Sequence, residues 1–229
     1  MLLDEARLMR QWIANIALHP GSICLNVGSS TREFREEVQP FIEREILAPL
    51  RARGCEIVNC DLKKEEGVDE EGDLLDPSFQ QHLAAHRPHL VICSNLLEHL
   101  VDPVPFATAC GAIVRPGGAC LFTVPRSFPY HPDPLDTMFR PSPAEIANLL
   151  PAFEILDSAE IEAGSYRDDL GSGARAVGTL ARQAIRALMP FYRPGRWYPA
   201  VHKLLWLFRP YKVSLVLLRR PDDALTETA

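Results

Sequence analysis

The sequence predicts an α/β fold built on a mostly parallel sheet with helices on both faces. Two observations predict it. Short β-rich runs alternate with helical stretches from Ser22 to Pro125, the spacing of βαβ units. Those runs ("SICLNV", "CEIVNCD", "HLVICSN", "ACLFTVP") are almost continuously apolar, as strands covered on both faces are. The 229 residues, 47% of them apolar and 24% charged, suit one such domain with an elaboration.

The elements follow in order. Leu8, Met9, Trp12, Ile13 and Ile16 recur on one face of a helix over 4–18. Residues 22–27 form a central strand. Ser30 then opens S-T-R-E, a capping box with Glu33, and a helix runs to about Arg53, with breaks at Pro40 and Pro49. A second strand, 55–61, ends in Asp61. The polar connection 63–77 has room for a very short strand before a helix over 78–86. A strand over 89–95, a helix over 104–114, the RPGG turn and a strand over 119–125 come next. A short helix (142–150), a strand (152–162) and a last strand (212–220) complete the sheet; the tail 221–229 is flexible.

Bulk properties exclude several classes. A net charge of −6 and a pI of about 5.7 argue against a nucleic-acid binder. The opening residues, with early acids and no long apolar core, are unlike a signal peptide. No apolar run reaches the roughly 18 residues of a membrane span. Six scattered cysteines without a CxxC pair read as buried thiols of a reducing cytoplasm. In open parallel sheets, ligands bind beyond the carboxyl ends of the strands. The segments to inspect are therefore Gly28–Arg32, Asp61, Asn95–His99 and Pro125–Arg140.

Four pieces occur in order: "LNVGSS", "IVNCD", "VICSNLLEHLVDP" and "VRPGGACLFTVP". Together they resemble the class I S-adenosylmethionine-dependent methyltransferases, of the methyltransferase type 11-like branch, over roughly residues 20–160. The resemblance implies a Rossmann-like, seven-stranded sheet whose last strand is antiparallel, and S-adenosylmethionine as cofactor. It implies cofactor contacts from Asn26, Gly28, Ser30, Arg32, Asp61, Asp73, Asn95 and Leu96. Asp61 would take the ribose hydroxyls, Asp73 the adenine side, and Arg32 or Thr31 the cofactor's carboxylate. Physical reading agrees: Gly28, Ser29 and Ser30 are small, and Ser30 and Arg32 stand where a pyrophosphate cradle would have glycines. The chain also departs from the family, which has an acid at the Asn26 position and glycines at Ser30 and Arg32. Those departures leave a catalytically inactive scaffold of the same fold as the alternative.

Catalytic candidates lie in the proline-rich loop "PRSFPYHPDPLDTMFRPSP" (125–143). It holds His131, a base by its ordinary pKa, with Asp133 or Asp136 to orient it. Glu98 and His99 form a second candidate pair. Relatives that methylate quinone precursors bind a divalent metal through E-x-x-E-H; here Asn95 takes the first place, so no metal is assigned and His99 is a candidate base.

The stretch 164–211 reads as a helical, basic, aromatic lid inserted before the last strand, the methyltransferase domain being 1–163 with 212–220. From Leu170 to Pro221 there is no Asp or Glu, yet ten Lys or Arg and two of the three tryptophans. Its alternation of Arg and Lys with aromatic residues resembles segments that lie on membrane surfaces. The expected function is methyl transfer to an oxygen of a small molecule, an anionic acceptor, a saccharide or a lipid-linked saccharide. The expected location is cytoplasmic, with 182–212 touching the inner membrane surface.

Overall fold

Seven strands lie in the order β3-β2-β1-β4-β5-β7-β6. They are β1 (Ile23–Val27), β2 (Glu56–Asp61), β3 (Glu70–Glu71), β4 (Leu90–Ser94), β5 (Ala119–Ser127), β6 (Glu154–Ser165) and β7 (Pro210–Arg219). In this computed structural model, which describes residues 1–131, 135–170, 174–188, 197, 204 and 206–222, the first five strands run parallel. β7 enters between β5 and β6 and is antiparallel to both. The expected mostly parallel sheet with a reversed last strand is therefore present. Strand order reverses between β1 and β4, which opens a crevice at their carboxyl ends.

The apolar runs divide between two faces. In β4, Leu90 and Ile92 join the layer made by α1 (Leu3–Asn15) and α2 (Ala48–Ala52), beside Met9, Trp12, Leu47 and Leu50. Val91 and Cys93 join the opposite layer, made by α3 (Pro77–Ala85), α4 (Pro103–Ile113) and α5 (Pro143–Ala147), beside Leu83, Phe106 and Ile146. Successive side chains of a strand point to opposite faces, so a sheet buried on both sides needs the unbroken runs that the sequence shows. All six cysteines are buried and free. Burial pushes the Cys60 thiol up to about 12, which keeps it protonated and inert.

The expected helix after β1 is divided. Two π-helical turns, Phe34–Val38 and Glu43–Leu47, precede α2. The break falls at Gln39 (φ −127°, ψ 66°), the residue that Pro40 pushes out of helical geometry. Pro49 lies inside a helical run that continues unbroken from residue 41 to residue 52, with the wider π-turn directly before it, so it breaks no helix. The cap also differs by one residue. Ser30 adopts φ 56°, and the Thr31 hydroxyl accepts from the Phe34 amide at 3.0 Å. The capping box expected at Ser30 is thus replaced by a threonine cap.

The segment read as an insertion begins later and ends earlier than expected, because β6 continues to Ser165 and β7 starts at Pro210. Its described part includes α6 (Tyr166–Leu170) and α7 (Ala174–Ala187). Tyr166, Trp206 and Tyr211 form a small apolar cluster, and Gln183 of α7 donates to the Tyr166 hydroxyl. Arg193, Arg196 and Lys203, three of the ten basic residues from Leu170 to Pro221, lie outside the described residues, as does the tail from 223. No helix among the described residues is long and apolar enough to cross a membrane.

Candidate active site

A cavity of about 730 Å³ opens at the carboxyl ends of β1 and β4, a size that suits a small-molecule ligand. Its floor comes from Gly28, Ser29 and Ser30 of the first turn and from Ser94 and Asn95 after β4. Its opposite wall comes from His99, Phe128 and His131.

The first turn depends on one glycine. Gly28 has φ +70°, and a Cβ there would meet the Leu96 side chain at 2.9 Å. Only glycine combines that conformation with so close an approach. Its amide and that of Ser29 donate to the Cys60 carbonyl, tying the turn to β2. The Ser30 amide donates to Asp61 Oδ2 at 2.8 Å. Below the turn lies Arg35, buried, donating to the carbonyls of Ser29, Ser30 and Gly67. The turn that lacks two glycines is therefore held in shape by a guanidinium on its carbonyls and a carboxylate on its amide.

Of the residues assigned to the cofactor, Asn26, Gly28, Ser30 and Asn95 line this cavity. Asn26 donates to Asn59 Oδ1 (3.1 Å), and Asn59 donates on to Asp69 (3.0 Å). Asp69 thus places a carboxylate two hydrogen bonds behind Asn26, the position where the family carries an acid. Asn95, at φ 51°, donates to Glu5 Oε1 (2.7 Å). Leu96 packs against the turn at Gly28. Arg32, Asp61 and Asp73 are not among the lining residues. Arg32 points outward, 3.7 Å from Glu66. Asp61 sits behind the turn on the Ser30 amide. Asp73 is exposed and accepts from the Leu75 amide.

On the acceptor side, His131 and His99 face each other edge to face, ring centroids 5.3 Å apart. His131 Nδ1 lies 3.2 Å from Asp136 Oδ2 and 3.2 Å from the Pro129 carbonyl. Both partners are acceptors, which favours a proton on Nδ1 and turns Nε2 toward the cavity side of the pair. Asp136 is buried, which alone would raise its pKa. The Arg140 guanidinium and the Met138 and His131 amides outweigh burial and hold it below the usual carboxylate range. Asp133, the other orienting candidate, lies outside the described residues. His99 is anchored in the same way, with Nδ1 2.5 Å from the Leu135 carbonyl.

Glu98 is fully buried, and neither of its carboxylate oxygens has a hydrogen-bond partner. Burial pushes its pKa up to about 7. Glu98, His99 and His131 bring one donor atom each within 4.8 Å of one another. One carboxylate and two imidazoles could hold a divalent cation or serve as an acid–base cluster.

Sequence reading missed Glu5, which is fully buried and accepts from Asn95, Thr123 and the Leu2 amide. Its signal was present: Glu5 precedes Met9 by one helical turn and Trp12 by two, a charge on the apolar face of α1. Phe128, Phe34 and Phe41, which also line the cavity, carried no such signal.

Comparison with known proteins agrees with this architecture. A family described as "Methyltransferase domain" matches residues 1–160. Two curated ubiquinone biosynthesis O-methyltransferases are similar over short stretches. The one from Citrobacter koseri is 36% identical over 53 residues, 22% of each chain. The one from Nitrosospira multiformis is 37% identical over 78 residues, 32% of this chain and 30% of that one. The matched part thus spans less than a third of those relatives. Among solved structures, the 4+2 cyclase SpnF aligns with a TM-score of 0.57 at 14% identity, covering 95% of this chain and 81% of that one. Coclaurine N-methyltransferase, bound to N-methylheliamine and S-adenosylhomocysteine, gives 0.51 at 11%, covering 95% and 71%. At such identities these likenesses speak to fold alone, but the match over residues 1–160 together with the strand order shows that the chain belongs to the class I S-adenosylmethionine-dependent methyltransferase family.

Proposed function

We propose that this chain transfers a methyl group from S-adenosylmethionine to a hydroxyl of a small acceptor, with His131 as the general base. The observation that carries the proposal is that one cavity is lined both by the Gly28–Ser30 turn and by two imidazoles whose Nδ1 atoms are fixed. When bound, S-adenosylmethionine supplies an electrophilic methyl group.

The chain's own residues do the rest. The glycine turn, with Asn26 and Asn95, bounds the space for a ligand that carries no phosphate, and Leu96 packs behind it. Asp61 has Oδ1 only weakly engaged, 3.4 Å from the Lys63 amide, and is the acid nearest the turn for ribose hydroxyls. His131 Nε2 accepts the acceptor's proton, and Asp136 stabilises the imidazolium that forms. Arg140 keeps Asp136 ionised for that task. Holding the acceptor in line is worth up to about 7–11 kcal/mol of barrier, and the base about 10²–10⁴-fold.

A saccharide or lipid-linked saccharide remains the acceptor class we favour. α7 carries exposed Val177 and Ile185 beside exposed Arg182 and Arg186, with exposed Leu188 directly after it, and Phe208 is exposed with Arg167 5.9 Å from its ring centre. Apolar and cationic side chains on one exposed helix suit contact with an anionic lipid surface.

A second reading follows from the unpartnered Glu98 carboxylate: a divalent cation on Glu98, His99 and His131 would polarise the acceptor oxygen in place of a free base. One experiment separates the readings. Methyl transfer to a panel of hydroxyl acceptors is followed by S-adenosylhomocysteine release, with and without chelator. The base reading predicts activity that chelator leaves intact and that His131→Gln lowers about 10²–10⁴-fold without weakening cofactor binding. Loss of activity in chelator, restored by a divalent cation, would replace it with the metal reading. Full activity in His131→Gln would remove His131 from the mechanism.

A further inference from the structure

At the β3 edge of the sheet, outside the lining of the cavity, His82 and His86 stand one turn apart on α3 and its C-cap. Residues four apart share a helix face. Glu70 of β3 faces both. Its Oε2 lies 3.0 Å from His82 Nε2, and its Oε1 3.3 Å from His86 Nε2. The three donor atoms lie within 4.8 Å of one another.

Hydrogen bonding alone does not account for this grouping. His82 Nε2 is well placed to bond the carboxylate. His86 Nε2 is buried yet makes no hydrogen bond of acceptable geometry. A buried ring nitrogen without a hydrogen bond carries a cost, and a metal ion would remove it by using the lone pair. Metal–ligand bonds of about 2.0–2.2 Å in a tetrahedron put neighbouring ligand atoms roughly 3.3–3.6 Å apart; one donor atom from each of the three residues lies within 4.8 Å of the other two, so small side-chain rotations bring them onto one ion. The ring of Phe79 stacks on His82, centroids 6.2 Å apart, and restricts its rotation. Gly72 makes room for that ring, because a Cβ there would meet Phe79 at 2.6 Å.

From this juxtaposition we infer a divalent transition-metal site of the zinc type, formed by Glu70, His82 and His86, with water in the fourth position. Two imidazoles and one carboxylate suit zinc and not magnesium, which demands oxygen ligands. The ion ties β3 to α3 and so fixes the intervening segment 72–76, which carries Asp73. The site is structural and lies outside the acceptor cavity. Its existence is independent of methyl transfer.

The test is a zinc titration of the full chain, freed of metal by chelation, against a competing chromophoric chelator. Three proteins are compared: the wild type, His82→Ala/His86→Ala, and His99→Ala/His131→Ala. The inference predicts that the His82/His86 variant has one zinc equivalent fewer than the wild type, and that the His99/His131 variant retains it. His86→Ala alone weakens that site at least about tenfold, since even outer-shell changes cost that much. Saturating zinc raises the melting temperature of the His99/His131 variant, and a tenfold excess of magnesium does not displace it. His82 is half exposed, and circular dichroism establishes that each variant is folded. Equal zinc stoichiometry and affinity in wild type and the folded His82/His86 variant would overturn the inference. So would absence of zinc binding by the wild type.

Discussion

Glu98 makes the stability of the fold depend on pH. In the unfolded chain its carboxyl ionises near 4.5, and burial raises this to about 7 in the folded state. The folded state therefore holds the proton more tightly, and stability falls as pH rises from the lower value through the higher one. Below about 4.5 there is no penalty, and above about 7 it is complete. At 1.36 kcal/mol for each pH unit between the two values, the loss is roughly 3 kcal/mol. Glu98→Gln removes the titration. The buried amide adds an offset of its own, but that offset does not change with pH. The variant therefore gains on the wild type by roughly 3 kcal/mol between pH 4.5 and 8, which for a chain of this size is about 6–12 °C in melting temperature. Thermal unfolding of both proteins across that range, in chelator so that no cation occupies Glu98, measures it. Titrating groups remote from Glu98 are common to both and cancel in the difference. A difference in melting temperature that does not vary with pH would overturn this, and with it the claim that the Glu98 carboxyl lies buried without a hydrogen bond.

Three further outcomes are expected. Gly28→Ala forces a side chain into a left-handed conformation and against Leu96; it costs about 1–2 kcal/mol of stability and weakens S-adenosylhomocysteine binding at least tenfold by calorimetry. Arg35→Ala leaves the Ser29, Ser30 and Gly67 carbonyls without their donor, costs roughly 2–4 kcal/mol in urea unfolding, and lowers cofactor affinity as the turn loosens. Asp136→Asn removes a carboxylate held below its ordinary range, so the stability it supplies is present above the usual carboxylate pKa and lost as pH falls through the folded value. The variant should lose stability at pH 7 and show a flatter acid limb, and methyl transfer should fall with the loss of His131 orientation.

The sheet was legible because its signal is local and repeated. Runs such as "HLVICSN" carry both faces of a buried strand in consecutive letters, and the RPGG turn marks the entry to β5 unaided. The helix after β1 was harder. Pro40 announced a break, but π-helical turns leave no signature in apolar periodicity, and the cap moved from Ser30 to Thr31 because Ser30 is drawn into the turn by Asp61. The site was legible where the chain passes the strand ends, at Gly28, Asn95, His99 and His131. What the sequence could not supply was distance across the fold. Arg35 reaches back under the turn, Asp69 stands behind Asn26 through Asn59, and Glu70 meets His82 and His86 from a two-residue strand. Each of these pairs residues more than four positions apart, which only tertiary packing brings together.

A turn with one glycine, held by Arg35 and Asp61, should bind S-adenosylmethionine. Isothermal titration with S-adenosylmethionine, S-adenosylhomocysteine and NAD is the test. Saturable one-to-one binding is expected for the first two and none for NAD, with about 2.7 kcal/mol of added stability at a hundredfold excess over Kd. Folded protein that binds neither sulfur ligand at millimolar concentration would contradict it, and would leave a methyltransferase fold that has given up its cofactor.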